Sequence, residues 1–262
     1  MFSNIPFGRF FPNDSFLHHL DARFKMIAVI SLMIVLFAAQ GWGYVILTAA
    51  TITAVLLSRV PLWAVWSGLR GIMVLILISA VINLFLTPGS PIYRLGPLTI
   101  TDQGLQLSIE ITVRLLLLLV IGMLLTWTTD PLDLTEGLES LLSPLKRFGF
   151  PAHELAMMMT IALRFIPTLG EEADKIIKAQ MARGAEFGRG NLMQRARALL
   201  PVVVPLFVSV FRRADELALA MEARAYRGGR GRTRMKQLRA SWRDAVAAGV
   251  VVMIILGVLG AR

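Results

Sequence analysis

Residues 155–180 read LAMMMTIALRFIPTLGEEADKIIKAQ, and the reading of this stretch decides the fold. Its apolar start, Leu155–Leu163, is nine residues long and is stopped by Arg164. Nine helical residues rise only ~14 Å, whereas a bilayer's hydrocarbon core is ~30 Å thick. An arginine at mid-depth would cost at least ~2.5 kcal/mol. Periodicity gives a better account. Leu155, Met159, Ala162, Ile166, Leu169, Ala173, Ile176 and Gln180 step by three or four, while Glu171, Asp174, Lys175 and Lys178 lie on the other side. That is one amphipathic helix of about 30 residues, roughly 45 Å long.

A second segment follows the same rule. Leu199–Phe211 is thirteen residues with Pro201 and Pro205 inside, too short to span a membrane unaided. Leu199, Val203, Leu206, Val210, Ala214, Leu217 and Met221 share a stripe, and Arg212, Arg213, Asp215 and Glu216 face elsewhere. Pro167, Pro201 and Pro205 are expected to kink these helices.

The surroundings are far more apolar. The 262 residues are 56% hydrophobic before glycine is counted, against ~45–50% with glycine in soluble domains. Mean hydropathy is +0.67. This excludes a disordered chain and an ordinary soluble enzyme, and with no cysteine it excludes disulfides, thiolate nucleophiles and cysteine-bound metals. Charge is segregated: residues 128–243 hold 19 of the 27 basic and 12 of the 17 acidic side chains.

Apolar runs Met26–Ala39, Tyr44–Leu57, Ile72–Leu86, Ile109–Trp127 and Ala245–Leu259 give about five spanning helices. Gly41-Trp42-Gly43 reads as the turn of a helical hairpin. The fold class is therefore an all-α integral membrane protein with two long amphipathic cytoplasmic helices. Residues 1–127 form the N-terminal arm and first four spans, 128–242 the cytoplasmic region, and 243–262 the last span. About 25 polar-studded residues precede the first apolar run, which argues against a cleaved signal. Arg9, Arg23 and Lys25 in the arm, with Arg59 and Arg70 assigned to the second connection, place the N-terminus and the basic region in the cytoplasm. Arg262 then faces outside.

Each amphipathic helix ends on a related tripeptide, Ala182-Arg183-Gly184 and Ala223-Arg224-Ala225. Alone, either arginine could be a cation favoured by the helix dipole, worth about 0.3–1 kcal/mol. As a pair, in this order, they resemble the T component of energy-coupling factor (ECF) transporters, which carries two Ala-Arg-Gly motifs at the tips of two coupling helices. Leu17-His18-His19-Leu20-Asp21-Ala22-Arg23-Phe24-Lys25 is similar to that family's Leu-His-x-Leu-Asp-Pro-Arg-x-Lys opening, with Ala22 replacing proline. Thr101-x-x-Gly104-Leu105 ahead of Arg114 resembles its fourth-helix entry, and Leu163-Arg164-Phe165-Ile166-Pro167 the middle of its first coupling helix. The loss of glycine at 225 puts the second turn, though not its guanidinium, in question.

The resemblance implies a non-catalytic scaffold and coupling subunit in a bacterial or archaeal plasma membrane. Two cytosolic ABC ATPases, alike or different, would each grip one tip, and their motion would pass to a small membrane S component that captures a vitamin or similar micronutrient. ATP and magnesium would be used by those partners, and the chain itself would bind no cofactor. Met157, Met158, Met159, Leu206 and Val210 are candidate contacts for the S component. Arginine suits the tips because its planar fork holds a carboxylate bidentately and stays charged when partly desolvated.

What is missing agrees. None of the five lysines follows a glycine, so there is no phosphate-cradling Gly-Lys-Ser/Thr loop. His18, His19 and His153 lack zinc-ligand spacing and read as capping or interface residues. Glu110 and Arg114, four apart on one helix, read as a structural ion pair. The run from Arg227 to Lys236 is basic without aromatics, which suits an anionic lipid surface and not nucleic acid. Two rival functions remain at this stage. A conventional ABC permease would need a polar substrate route, and an intramembrane lipid-modifying enzyme would need paired carboxylates or histidines at membrane depth.

Overall fold

A computed structural model describes residues 10–95, 98–185, 187, 191–226, 228 and 241–261. The basic stretch Arg227, Arg230, Arg232, Arg234 and Lys236 lies outside the described residues. The chain forms helices α1 (Ala22–Ala38), α2 (Trp42–Ser58) and α3 (Leu62–Leu86), then strands β1 (Pro91–Leu95) and β2 (Leu98–Thr101). Helices α4 (Asp102–Thr128), α5 (Pro131–Leu142), α6 (Ala152–Ala182), α7 (Leu192–Ala223) and α8 (Trp242–Gly260) follow, with a 3₁₀ turn at Ser143–Phe148. Its described residues divide into two compact units, one from 139 to 228 and the other 10–138 with 241–261.

The larger unit is an apolar helical bundle that also carries the β1–β2 hairpin. Helices α3, α4 and α8, with 25, 27 and 19 residues, are long and apolar enough to cross a membrane. Helix α2, and α1 beside it, have 17 residues each, the short limit for a span. Inside the bundle Val35, Leu36, Ala39, Tyr44, Leu47, Leu117, Ile121 and Val258 make one core. Outward, Ile27, Ile30, Ile34 and Phe37 recur at helical spacing on α1 and are all exposed. Helices that are apolar both inward and outward belong in lipid.

Small residues set how closely the helices approach. Gly41, at φ +46°, makes the turn between α1 and α2. A Cβ on Gly104 would lie 2.9 Å from the Leu84 carbonyl oxygen and 3.1 Å from that of Asn83, so α4 enters directly against the α3 backbone. Thr101 starts that helix: its Oγ1 accepts the Gly104 N–H (3.0 Å) and donates to the Thr87 carbonyl (2.8 Å). The Thr101-x-x-Gly104 motif is thus a cap plus a close crossing.

The opening motif has an equally local meaning. The Asp21 side chain caps α1 by accepting the Arg23 N–H at 2.9 Å. The Asp21 N–H donates in turn to Asp244 Oδ1 at 2.8 Å, and Asp244 Oδ2 accepts the Ser241 N–H at 2.6 Å. Lys25 Nζ donates to the carbonyls of Thr128 (2.9 Å) and His18 (3.3 Å) and to Thr129 Oγ1 (3.3 Å). Asp244 and Lys25 are both buried. One polar knot therefore ties the starts of α1 and α8 to the end of α4.

The all-α architecture stands, with one short antiparallel β1–β2 hairpin added in the third connection, where Tyr93 lies opposite Ile100 and Leu95 opposite Leu98. Two expectations change. The second connection shrinks to residues 59–61, and Arg70 is carried into α3, where it is exposed. Glu110 and Arg114 do not pair. Glu110 accepts from Gln106 (3.1 Å), whereas Arg114 donates to the Tyr44 hydroxyl and lies 5.9 Å from the Phe37 ring centroid. Helices α6 and α7 both run on as helix past their internal prolines, Pro167 in the first and Pro201 and Pro205 in the second.

Candidate functional site: two arginine-capped helix ends

Helices α6 and α7 have 31 and 32 residues, close to the length that periodicity implied. Three contacts fix how they pair. Gln180 Nε2 donates to the Pro201 carbonyl (3.3 Å). Glu172 accepts from the Ser209 hydroxyl and from Arg213 Nη2, the latter at 3.1 Å. The Tyr226 hydroxyl donates to Met157 Sδ (3.0 Å). As one number falls the other rises by nearly the same amount, so the helices are antiparallel neighbours over most of their length. Arg183 and Arg224 consequently sit at opposite ends of the pair, roughly 35–40 Å apart at 1.5 Å per residue.

The two ends are built alike. At the first, Gly184 N–H donates to the Met181 carbonyl (3.0 Å) and Ala185 N–H to that of Gln180 (3.0 Å). At the second, Ala225 N–H donates to Glu222 (2.8 Å) and Tyr226 N–H to Met221 (3.0 Å). Each is a Schellman turn with arginine as the last half-helical residue and a left-handed residue after it. Gly184 has φ +86° and Ala225 φ +54°. The missing glycine therefore does not alter the turn. Ala182, Arg183, Gly184, Ala223, Arg224 and Ala225 are all exposed. Among the described residues neither guanidinium is paired with an acid, so both offer their donors outward at the negative end of a helix dipole.

The pair is held by a charged contact at mid-length. The Glu172 carboxyl is held below the usual carboxylate range, chiefly by the Ser209 hydroxyl and further by the Arg213 charge. His153 Nδ1 meets Glu139 Oε1 at 3.0 Å, an interface contact, and His18 and His19 make local contacts in the arm with Ser15 (2.7 Å) and Asp14 (2.7 Å).

Apolar surface lies on two sides of α7. Leu206 and Val210 are half-buried on the side of Ser209 and Arg213, and Val210 helps line a groove of about 420 Å³ with Ile161, Phe165 and Met221. Val203, Val204, Phe207, Val208 and Phe211 form a second, exposed apolar face. At the start of the apolar stripe Leu199 and Val203 are exposed, whereas Val202 beside them is buried. Of the three methionines, Met158 and Met159 are exposed and Met157 is half-buried under Tyr226.

Comparison with known sequences adds to this geometry. Residues 13–235 match the CbiQ family, described as cobalt transport protein. The chain is 50% identical over 258 residues to the energy-coupling factor transporter transmembrane protein EcfT of Brevibacillus brevis, covering 98% of this chain and 97% of that one. It is 48% identical over 260 residues to the EcfT of Ruminiclostridium cellulolyticum (99% and 97% covered). With the EcfT of Bacillus subtilis the figures are 42% over 261 residues, 99% and 98% covered.

Proposed function

The chain belongs to the CbiQ/EcfT family of energy-coupling factor transporter transmembrane proteins, and on that premise we propose that it couples two cytosolic ABC ATPase subunits to a substrate-capturing membrane S component. It is a transporter subunit and not an enzyme. One observation carries the coupling role: two exposed arginines cap helices of one antiparallel pair, in the same turn, at opposite ends. A two-ended cationic strut suits a dimer of motors, because each guanidinium can hold a carboxylate in a groove bidentately. Nucleotide-driven closure would change the distance between those grooves, and the strut would respond because its contacts differ in the two states.

The S component would rest on apolar surface of α6 and α7. The exposed Val204, Phe207, Val208 and Phe211 support such a contact, with Met158 and Met159 as adaptable surface. The cargo would be a vitamin or similar micronutrient. The arm, the connection at residues 59–61 and the α6–α7 pair would be cytoplasmic, as the basic residues direct. The deciding experiment is co-purification of the ATPases with Arg183→Glu and Arg224→Glu variants. Each single change should weaken the complex and the pair should abolish it, with membrane insertion unchanged. ATPases that co-purify undiminished with the double variant would overturn the proposal.

A further inference from the structure

A groove in the membrane bundle, separate from the coupling helices, is left unused by the proposed function. It encloses about 620 Å³ where α2 ends and α8 begins. The helix register brings these ends together. A Cβ on Gly43 would touch Val258 at 3.1 Å, and one on Gly257 would touch Ile46 at 3.7 Å, so α2 and α8 run antiparallel. Continued to the other end, that register sets Arg59 beside Arg243. Both line the groove, together with Leu56, Leu57, Trp242 and the arm segment at Asp14–His19.

The chemistry is amphipathic. Leu56, Leu57 and Trp242 are exposed on helices whose outer faces are lipid-facing, and tryptophan is the residue of the membrane–water boundary. Arg59 is pinned: it takes the left-handed conformation at φ +54°, its carbonyl accepts Asn13 Nδ2 (3.0 Å), and Nη1 donates to the Asp14 carbonyl (3.4 Å). Among the described residues that is one bond from a guanidinium with five donors. Arg243 is exposed and, among the described residues, has no acidic partner. The Asp14 carboxylate is already engaged by His19 at 2.7 Å. Two cations, one just after α2 and one in the first turn of α8, thus line the same groove as an apolar wall at the end of a membrane bundle.

We propose that this groove binds an anionic phospholipid, its phosphate held between Arg59 and Arg243 and its acyl chains lying along Leu56, Leu57 and Trp242. A soluble phosphate would use the same cations but leave the apolar wall in water, which is why the lipid is the fitting occupant. The inference stands apart from the coupling reading and survives if that reading fails.

The test uses the full chain in detergent, with phosphatidylglycerol and phosphatidylcholine of matched chains added in turn. Native mass spectrometry counts retained lipid, and thermal unfolding reports stabilisation. Phosphatidylglycerol should be retained preferentially and should raise the melting temperature. Arg59→Gln with Arg243→Gln should cut that preference about thirtyfold, from about 1 kcal/mol per basic residue at an anionic surface. Arg243→Gln alone should cut it about fivefold, whereas Arg70→Gln, an exposed cation elsewhere, should leave it unchanged. Equal retention of the two lipids by the native chain, or a full preference in the double variant, would overturn the proposal. So would equal stabilisation by inorganic phosphate, which would assign the groove to a soluble anion.

Discussion

Gly184 and Ala225 occupy the same position of the same turn, 41 residues apart, and only one of them is built for it. Both have positive φ, +86° and +54°. An L-residue there brings its Cβ against the carbonyl, at about 1–2 kcal/mol. A Cβ on Gly184 would meet nothing within 4 Å, so any penalty there comes from φ alone. Gly184→Ala should therefore loosen the first tip by about 1 kcal/mol, and Ala225→Gly should tighten the second by somewhat less, since glycine also loosens the unfolded chain. Amide hydrogen exchange at Ala185 and Tyr226 reads the two turns separately. About fivefold faster exchange at Ala185 is expected in the first variant and slower exchange at Tyr226 in the second. No change in either would show that the turns are not strained by their left-handed residue.

How much of this was written in the sequence depends on the range of each interaction. The lengths of α6 and α7 were legible because a 3.6-residue period repeats over more than 20 residues. Which apolar side chains of α7 are buried was not, because Leu199, Val202, Val203, Val204 and Phe207 make its middle apolar nearly all round. Arg70 was misplaced because Ser67, Gly68 and Arg70 interrupt hydropathy without interrupting the helix. The β1–β2 strands, with five and four residues, are too short for alternation to stand out among Pro88, Gly89, Pro91, Gly96 and Pro97. Lys25 and Asp244 were invisible as a knot because their partners lie more than 100 and 200 residues away. The paired tips were legible because each is a local motif.

The Glu172 contact makes the α6–α7 pair sensitive to acid. Its carboxyl titrates below its ordinary value of 4.5, through Ser209 first and Arg213 with it. A carboxyl with a depressed native value contributes its full stabilisation above the unfolded value and loses it as pH falls through the native one. Protection of α6 amides, corrected for intrinsic exchange, should therefore decline below about pH 4.5. Glu172→Gln should weaken the pair by about 1 kcal/mol at neutral pH, a figure discounted for the partial exposure of both side chains. It should also flatten the acid limb; a decline as steep in that variant as in the native chain would assign the acid sensitivity to other groups.

Asp244 accepts two backbone N–H groups, from Asp21 and Ser241, and is only 1% exposed. Asp244→Ala leaves the buried Asp21 N–H and the part-buried Ser241 N–H without that acceptor, at about 1–3 kcal/mol for each one left unsatisfied. The melting temperature of the purified chain should fall by several degrees. Asp244→Asn, which keeps one carbonyl oxygen, should recover part of the loss. If the alanine variant melts with the native chain, water has replaced the carboxylate and the knot is dispensable.

Three glycines on facing helices separate close packing from mere absence of a side chain. At Gly104 a Cβ would strike the Leu84 carbonyl oxygen at 2.9 Å, and backbone cannot step aside. At Gly68 it would meet Met123 Sδ at 2.7 Å, the far end of a flexible side chain. At Gly71 it would meet nothing within 4 Å. Gly104→Ala should therefore destabilise the bundle by about 1–3 kcal/mol, the usual cost of overpacking. Gly68→Ala should cost less than 1.5 kcal/mol or so as Met123 changes rotamer. Gly71→Ala should stabilise by up to about 1 kcal/mol through helix propensity. Melting temperatures of the three variants in one detergent should fall in the order Gly71→Ala, Gly68→Ala, Gly104→Ala. A different order would mean that α3 and α4 are free to move apart, and that the Thr101-x-x-Gly104 entry sets the start of α4 but not its distance from α3.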